Sequence, residues 1–91
     1  MIFEWDESKR LVNIGKHGFD FLDIWQIFEG EYIKGQAKQG IDGEERLIAT
    51  GIIAGIYATV VYTMRDDVTR IISLRKARTN ERRQHQALHD G

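Results

Sequence analysis

Three β-rich stretches separated by tight turns fill the second half of the chain and limit what it can fold into. They run from Arg46 to Ile53, from Ile56 to Met64 and from Val68 to Arg75, with turns at Ala54-Gly55 and Arg65-Asp66-Asp67. Three such strands in succession make an antiparallel meander, which needs a layer packed on at least one face. The first half supplies that layer. Ile2-Phe3-Glu4-Trp5 reads as a short strand stopped by Asp6, a helix N-cap residue. A first helix follows from Asp6 to Lys16, with Leu11, Ile14 and Val12 as a narrow apolar stripe and Lys16-His17-Gly18 as its stop signal. Asp20 caps a second helix ending at Gly30. Phe19 is placed to staple against Ile24, and Phe21, Ile24, Trp25, Ile27 and Phe28 form its apolar face.

Between these helices and the meander, Glu31 to Lys38 reads as a weak edge strand and Gly40-Ile41-Asp42-Gly43 as a loop. After the meander, Thr79 can cap a last helix from about Asn80 to His89. Its only apolar residues are Ala87 and Leu88, so it has little reason to dock on its own core. The expected architecture is a small single α+β domain over residues 1–91. Two N-terminal helices pack on an antiparallel meander, and residues 79–91 form a polar C-terminal helix that frays or awaits a partner.

Ninety-one residues suffice for one modest core, and 42% hydrophobic with 30% charged residues is ordinary globular composition. The absence of cysteine rules out disulfides, thiolate zinc sites and a cysteine nucleophile. No apolar run approaches the roughly 20 residues that span a bilayer, and acids stand near the N-terminus where a secretory leader carries lysine or arginine. These features point to a cytoplasmic protein without a membrane role.

A net charge of -1 conceals an asymmetry. Residues 1–45 hold five Lys/Arg against ten Asp/Glu, whereas residues 46–91 hold eight against four. The excess concentrates in Arg70 to Arg83, where Arg70, Arg75, Lys76, Arg78, Arg82 and Arg83 face one acid, Glu81. Such a cluster is the electrostatic footprint of a phosphate-bearing partner, or else a solvated terminal helix. Period-two geometry puts Arg70, Ile72 and Leu74 on one face of the last strand and Ile71, Ser73 and Arg75 on the other, so one arginine must lie near the rim. In the preceding strand Tyr62 either presents its hydroxyl beside an arginine across the ladder or is an amphipathic residue at the core edge.

Other groups carry two readings as well. Glu44, next to Glu45-Arg46, suits a base or a salt bridge, and ion pairs are commoner than catalytic carboxylates. His17 can exchange protons near neutral pH, or simply complement a helix C-terminus. Glu81, His85 and His89 share a helix face at spacings of four, which permits a metal site but more often marks a polar tail, so no metal or other cofactor is expected.

Five ordered motifs add a resemblance. They are Phe3-Glu4-Trp5-Asp6-Glu7-Ser8-Lys9-Arg10; Asn13 with Lys16-His17-Gly18 and Phe21; Gly43-Glu44-Glu45-Arg46 with Gly51; Val60-Val61-Tyr62-Thr63; and Arg70-Ile71-Ile72-Ser73-Leu74-Arg75-Lys76-Ala77. Together they resemble the BrnT family of toxins from bacterial type II toxin-antitoxin pairs, from residue 2 to about residue 83. Leu74 departs from the alanine usual there, and the Arg65-Asp66-Asp67 turn lacks the family's common glycine. The resemblance implies a RelE-like fold and metal-independent endoribonuclease activity. It also implies a cognate antitoxin with a ribbon-helix-helix DNA-binding part, the pair contacting operator DNA through that antitoxin.

Cleaving RNA without a metal requires proton transfer and cations around a phosphate gaining charge. His17 and Glu44 are the proton-transfer candidates. Arg46, Arg70, Arg75 and Arg78 are the phosphate-stabilising ones, because guanidinium offers a planar fork that stays charged. Lys76, Arg82 and Arg83 would guide the RNA backbone, and Tyr62 would stack on an unpaired base or orient the scissile phosphate. A different class remains open: a non-catalytic module that binds nucleic acid or an acidic protein through its basic C-terminal segment.

Overall fold

The computed structural model describes residues 1–37 and 43–89. Five strands form one sheet: β1 (Ile2–Glu4), β2 (Ile33–Gln36), β3 (Leu47–Ile53), β4 (Ile56–Arg65) and β5 (Val68–Lys76), in spatial order β1-β5-β4-β3-β2. The expected meander is its centre, β3 to β5. At the hairpin between β3 and β4, Ala54 and Gly55 both have positive φ (49° and 80°), the backbone twist that two-residue hairpins favour. The sheet is nevertheless mixed rather than purely antiparallel. β1 lies parallel to β5, with Ile2 opposite Val68 and Glu4 opposite Arg70. A parallel pair needs a long crossover, and here everything between β1 and β5 supplies it. Of the expected loop at Gly40-Ile41-Asp42-Gly43, residues 40–42 lie outside the described residues, as does Lys38 at the end of the expected edge strand; Gly43 has φ 75°.

α1 (Glu7–His17) starts where its capping chemistry dictates. The Asp6 carboxylate accepts the Ser8 and Lys9 amides, and Gly18 closes the helix at φ 76°. Its packing differs from the expectation. Leu11 and Val12 are 58% and 66% exposed and Ile14 is exposed too, while the buried residue is Asn13 at 6%. The reason lies in β1, which stops opposite Arg70 and leaves the far end of β5 with an open edge. The Asn13 amide fills that edge. Its Nδ2 donates to the Leu74 carbonyl at 2.9 Å, its Oδ1 accepts the Leu74 amide at 3.1 Å, and Nδ2 also donates to the Phe19 carbonyl. With Arg10 also reaching the Asp20 carboxylate at 2.9 and 3.0 Å, a helix docked by polar groups needs no apolar stripe.

The second expected helix is shorter than its apolar pattern suggested. Asp20 caps a 3₁₀ turn over Phe21–Asp23, and α2 spans only Trp25–Phe28. Phe21, Ile24 and Ile27 recur every three residues, the repeat of 3₁₀ geometry, and fill the core; Trp25 is 51% exposed. α2 lies directly on β3 because Gly51 has no side chain, since a Cβ there would stand 3.0 Å from Ile27 Cγ2. The same side of the sheet contributes Ala49, Ala58, Val60, Tyr62, Ile71 and Leu74 to the core. Phe28 sits among Phe3, Tyr32 and Tyr62 at centroid distances of 5.2 to 5.5 Å.

α3 (Thr79–His89) lies on the opposite side, with Thr79 as its first residue rather than its cap. It is neither apolar nor loose, because its buried residues are Glu81 and His85. His85 Nε2 lies 2.7 Å from the Glu31 carbonyl, and its ring meets Tyr57 edge-on at 5.3 Å. Polar anchoring replaces the missing hydrophobic face. Among the described residues no helix is long and apolar enough to cross a membrane.

Candidate active site

A one-residue irregularity decides what faces the site. In the β4–β5 ladder Val61 pairs with Ser73 but Tyr62 pairs with Ile71, so Ile72 is an extra residue in a β-bulge. The alternation expected from period two therefore breaks. Ile71 and Leu74 both point to the core, and Arg70, Ser73 and Arg75 share the other side. Neither arginine has to be accommodated in the apolar core.

On that side a concavity of about 560 Å³ opens between β3, β4, β5 and the first turn of α3. Ile48 and Val61 give it an apolar floor, Gln36 and Ala37 line its outer wall, and Arg46, Arg75, Arg78 and Glu81 carry its charge. The carboxylate of Glu81, 5% exposed, organises the inner wall. It accepts Arg75 Nη1 at 2.8 Å and Nη2 at 3.0 Å, the Arg78 backbone N–H at 2.8 Å, and the Thr59 hydroxyl at 3.0 Å. Thr59 in turn shares a 2.7 Å hydrogen bond with Thr50. Arg46 differs: its buried Nε meets no hydrogen-bond partner among the described residues.

The family model for the ribonuclease toxin BrnT of type II toxin-antitoxin systems matches residues 5–81. The chain belongs to the BrnT family. No curated protein matches it. The BrnT match includes every residue that lines the concavity and ends at Glu81.

Of the residues expected to act in this BrnT-family chain, the fold gathers Arg46, Arg75 and Arg78. Arg70 shares their side of the sheet but sits beyond the bulge, 3.4 Å from Glu4. Glu44 pairs with Arg65 through contacts of 3.0 and 3.2 Å. That guanidinium first, with a smaller contribution from the Arg46 charge, holds Glu44 below the usual carboxylate range. His17 lines a separate hollow of about 170 Å³ with Lys9, Lys16 and Ser73. Tyr62, weighed as a partner for an arginine across the ladder, is 3% exposed on the core side, where burial pushes its hydroxyl pKa up. Its position corrects that expectation, since the arginines lie across the sheet from it. Lys76, Arg82 and Arg83 are exposed.

The residue that sequence reasoning missed is Glu81. It was visible only as the one acid in a basic run and as a member of the Glu81-His85-His89 face. In the structure that face divides: Glu81 turns to Arg75, while His89 Nδ1 lies 3.3 Å from Glu31 Oε2. Among the described residues no three such side chains form a metal-binding group.

Burial alone would push the Glu81 carboxyl up, but its hydrogen bonds from Arg75, Arg78 and Thr59 outweigh that and hold it at about 2. A carboxyl depressed by folding stabilises the protein above its ordinary value near 4.5, and this contribution is lost as pH falls toward 2. The melting temperature of Glu81→Gln should therefore lie below that of the unaltered protein at neutral pH. The two should converge on acidification from about pH 4.5 to about pH 2, as followed by circular dichroism. A constant gap across that window would show that Glu81 is not ionised in the fold.

Proposed function

We propose that this chain is the toxin of its pair and an endoribonuclease that cuts RNA without a metal, with the concavity as its phosphate site. The observation that carries the reading is the convergence of Arg46, Arg75 and Arg78, from β3's entry, β5 and the start of α3, around one hollow with a single carboxylate. Three guanidinium groups against one acid leave a positive site for a phosphate that gains charge in the transition state. Arg70, on the same side of the sheet, and the exposed Arg82 and Arg83 extend the positive surface along which RNA would run, whereas Lys76, opposite Ala58, lies on the other side of β5.

Proton transfer is assigned to Glu44 and His17. Glu44 is ionised and close enough to Arg46 to feel its charge. His17 is reached along β5, because Ser73 borders the His17 hollow and lies on the same side of the strand as Arg75. The partner is an antitoxin with a ribbon-helix-helix part that carries the pair to operator DNA, and both act in the cytoplasm. The RelE-like arrangement belongs to the same reading, supported by the layered α+β sheet.

Inducing the gene alone should arrest growth, and purified protein should fragment RNA, free or in a translating extract, in buffer containing chelator. Co-expressing the neighbouring small open reading frame should restore growth. Normal growth with abundant soluble protein would sink the toxin reading. Salt-dependent RNA binding without fragments would replace the enzyme by a binding module.

A further inference from the structure

We propose that Glu81 is a positioning residue for RNA cleavage, an inference that rests on the ribonuclease reading above: it clamps one edge of the Arg75 guanidinium so that the other edge is presented to the scissile phosphate. A guanidinium carries five N–H donors in a plane and offers two different forks, one between Nη1 and Nη2 and one between Nε and Nη2. Glu81 occupies the first, taking Nη1 at 2.8 Å and Nη2 at 3.0 Å. The second Nη1 hydrogen is directed to the Lys76 carbonyl at 3.4 Å. Two parallel donors remain, Nε–H and the outer Nη2–H, and no described residue bonds to either. That pair is the bidentate geometry a phosphate accepts.

The clamp is itself held from two sides. The Arg78 amide fixes Glu81 Oε1 from α3's own start, and Thr59 fixes it from β4. Thr50 backs Thr59 from β3. Arg75 is thus oriented by groups from β3, β4 and α3 before any substrate arrives, so it need not be ordered at the moment of reaction. A carboxylate beside a phosphate site would ordinarily repel the substrate. Here its charge is matched by Arg75, and Arg46 and Arg78 leave the hollow positive.

The test is a double-mutant cycle on RNA cleavage with Glu81→Gln and Arg75→Ala, each assayed well below its own melting temperature. Glu81→Gln should lower kcat about 100-fold, the cost of misplacing a catalytic group by about an ångström, with KM changed less than about 3-fold. In the Arg75→Ala background the same substitution should cost less than about 3-fold, because its effect passes through Arg75. Glu81→Asp keeps the charge with a shorter reach, should recover part of the loss, and takes the place of Glu81→Gln in the cycle if that variant does not fold. Equal losses in both backgrounds, or full activity of the singly altered protein, overturn the positioning role while leaving the ribonuclease reading intact. An unaltered protein that cuts no RNA overturns the ribonuclease reading, and the positioning role falls with it.

Discussion

Arg46→Ala is expected to reduce RNA cleavage by about 10² to 10³-fold and to abolish growth arrest on induction. The size follows from removing one preorganised donor from a transition-state site. Arg46 is chosen over Arg75 because of its environment. Arg75 and Glu81 stabilise each other, so losing either leaves a buried charge unpaired and mixes folding with function. Arg46 lines the same hollow, yet its buried Nε has no described partner in the resting protein. Truncating it orphans nothing among the described residues, and the melting temperature should stay within about 2 to 4 °C, the shift expected for about 0.5 kcal/mol in a domain of this size. Arg46→Lys should fall between the two, since it keeps the charge and loses the planar fork. A cleavage rate within about 3-fold of the unaltered protein for Arg46→Ala would remove this hollow from the mechanism.

Asn13→Ala is expected to be the most destabilising substitution in α1. Three hydrogen bonds vanish, and the Leu74 amide and carbonyl and the Phe19 carbonyl lose their partner. Leaving buried backbone groups unpaired costs about 1 to 3 kcal/mol each, with water entering at the edge of β5 to offset part of it. A net loss of about 3 kcal/mol would lower the melting temperature by roughly 12 to 24 °C in a domain of this length. Val12→Ala is the control. Its side chain is 66% exposed, and the expected change is within about 0.5 kcal/mol. Equal effects of the two substitutions in calorimetry would show that Asn13 is not what docks α1 on β5.

The local chemistry of this fold can be read from the residues. Asp6, Gly18 and Asp20 mark helix ends because capping depends on neighbours two or three positions away, and each caps as expected. The meander is legible for the same reason, through β-branched runs and the Ala54-Gly55 turn. What is set at long range is not. The parallel pairing of Ile2 with Val68 has no local signature, and neither does the use of Asn13 as a substitute strand partner for Leu74. The bulge at Ile72 is hidden because four successive apolar or small residues read equally well with or without an extra one, yet it decides which side Arg70 takes. Within the site, Arg46, Arg75 and Arg78 are visible as cations near strand ends. Glu81 is not, because its role comes from partners on β4 and β5 that only the folded chain assembles.

The pairing of β1 with β5 also sets the order in which the fold is completed during synthesis. During synthesis β1 has no partner until residues 68–70 follow it, and Asn13 waits a further few residues for Leu74. Arg75 gains its clamp only when Glu81 has been added. Contacts this distant in sequence form late and slowly. A chain cut short before Glu81 therefore has Arg75 without its clamp, and the hollow that we read as a phosphate site is complete only once residue 81 has been added.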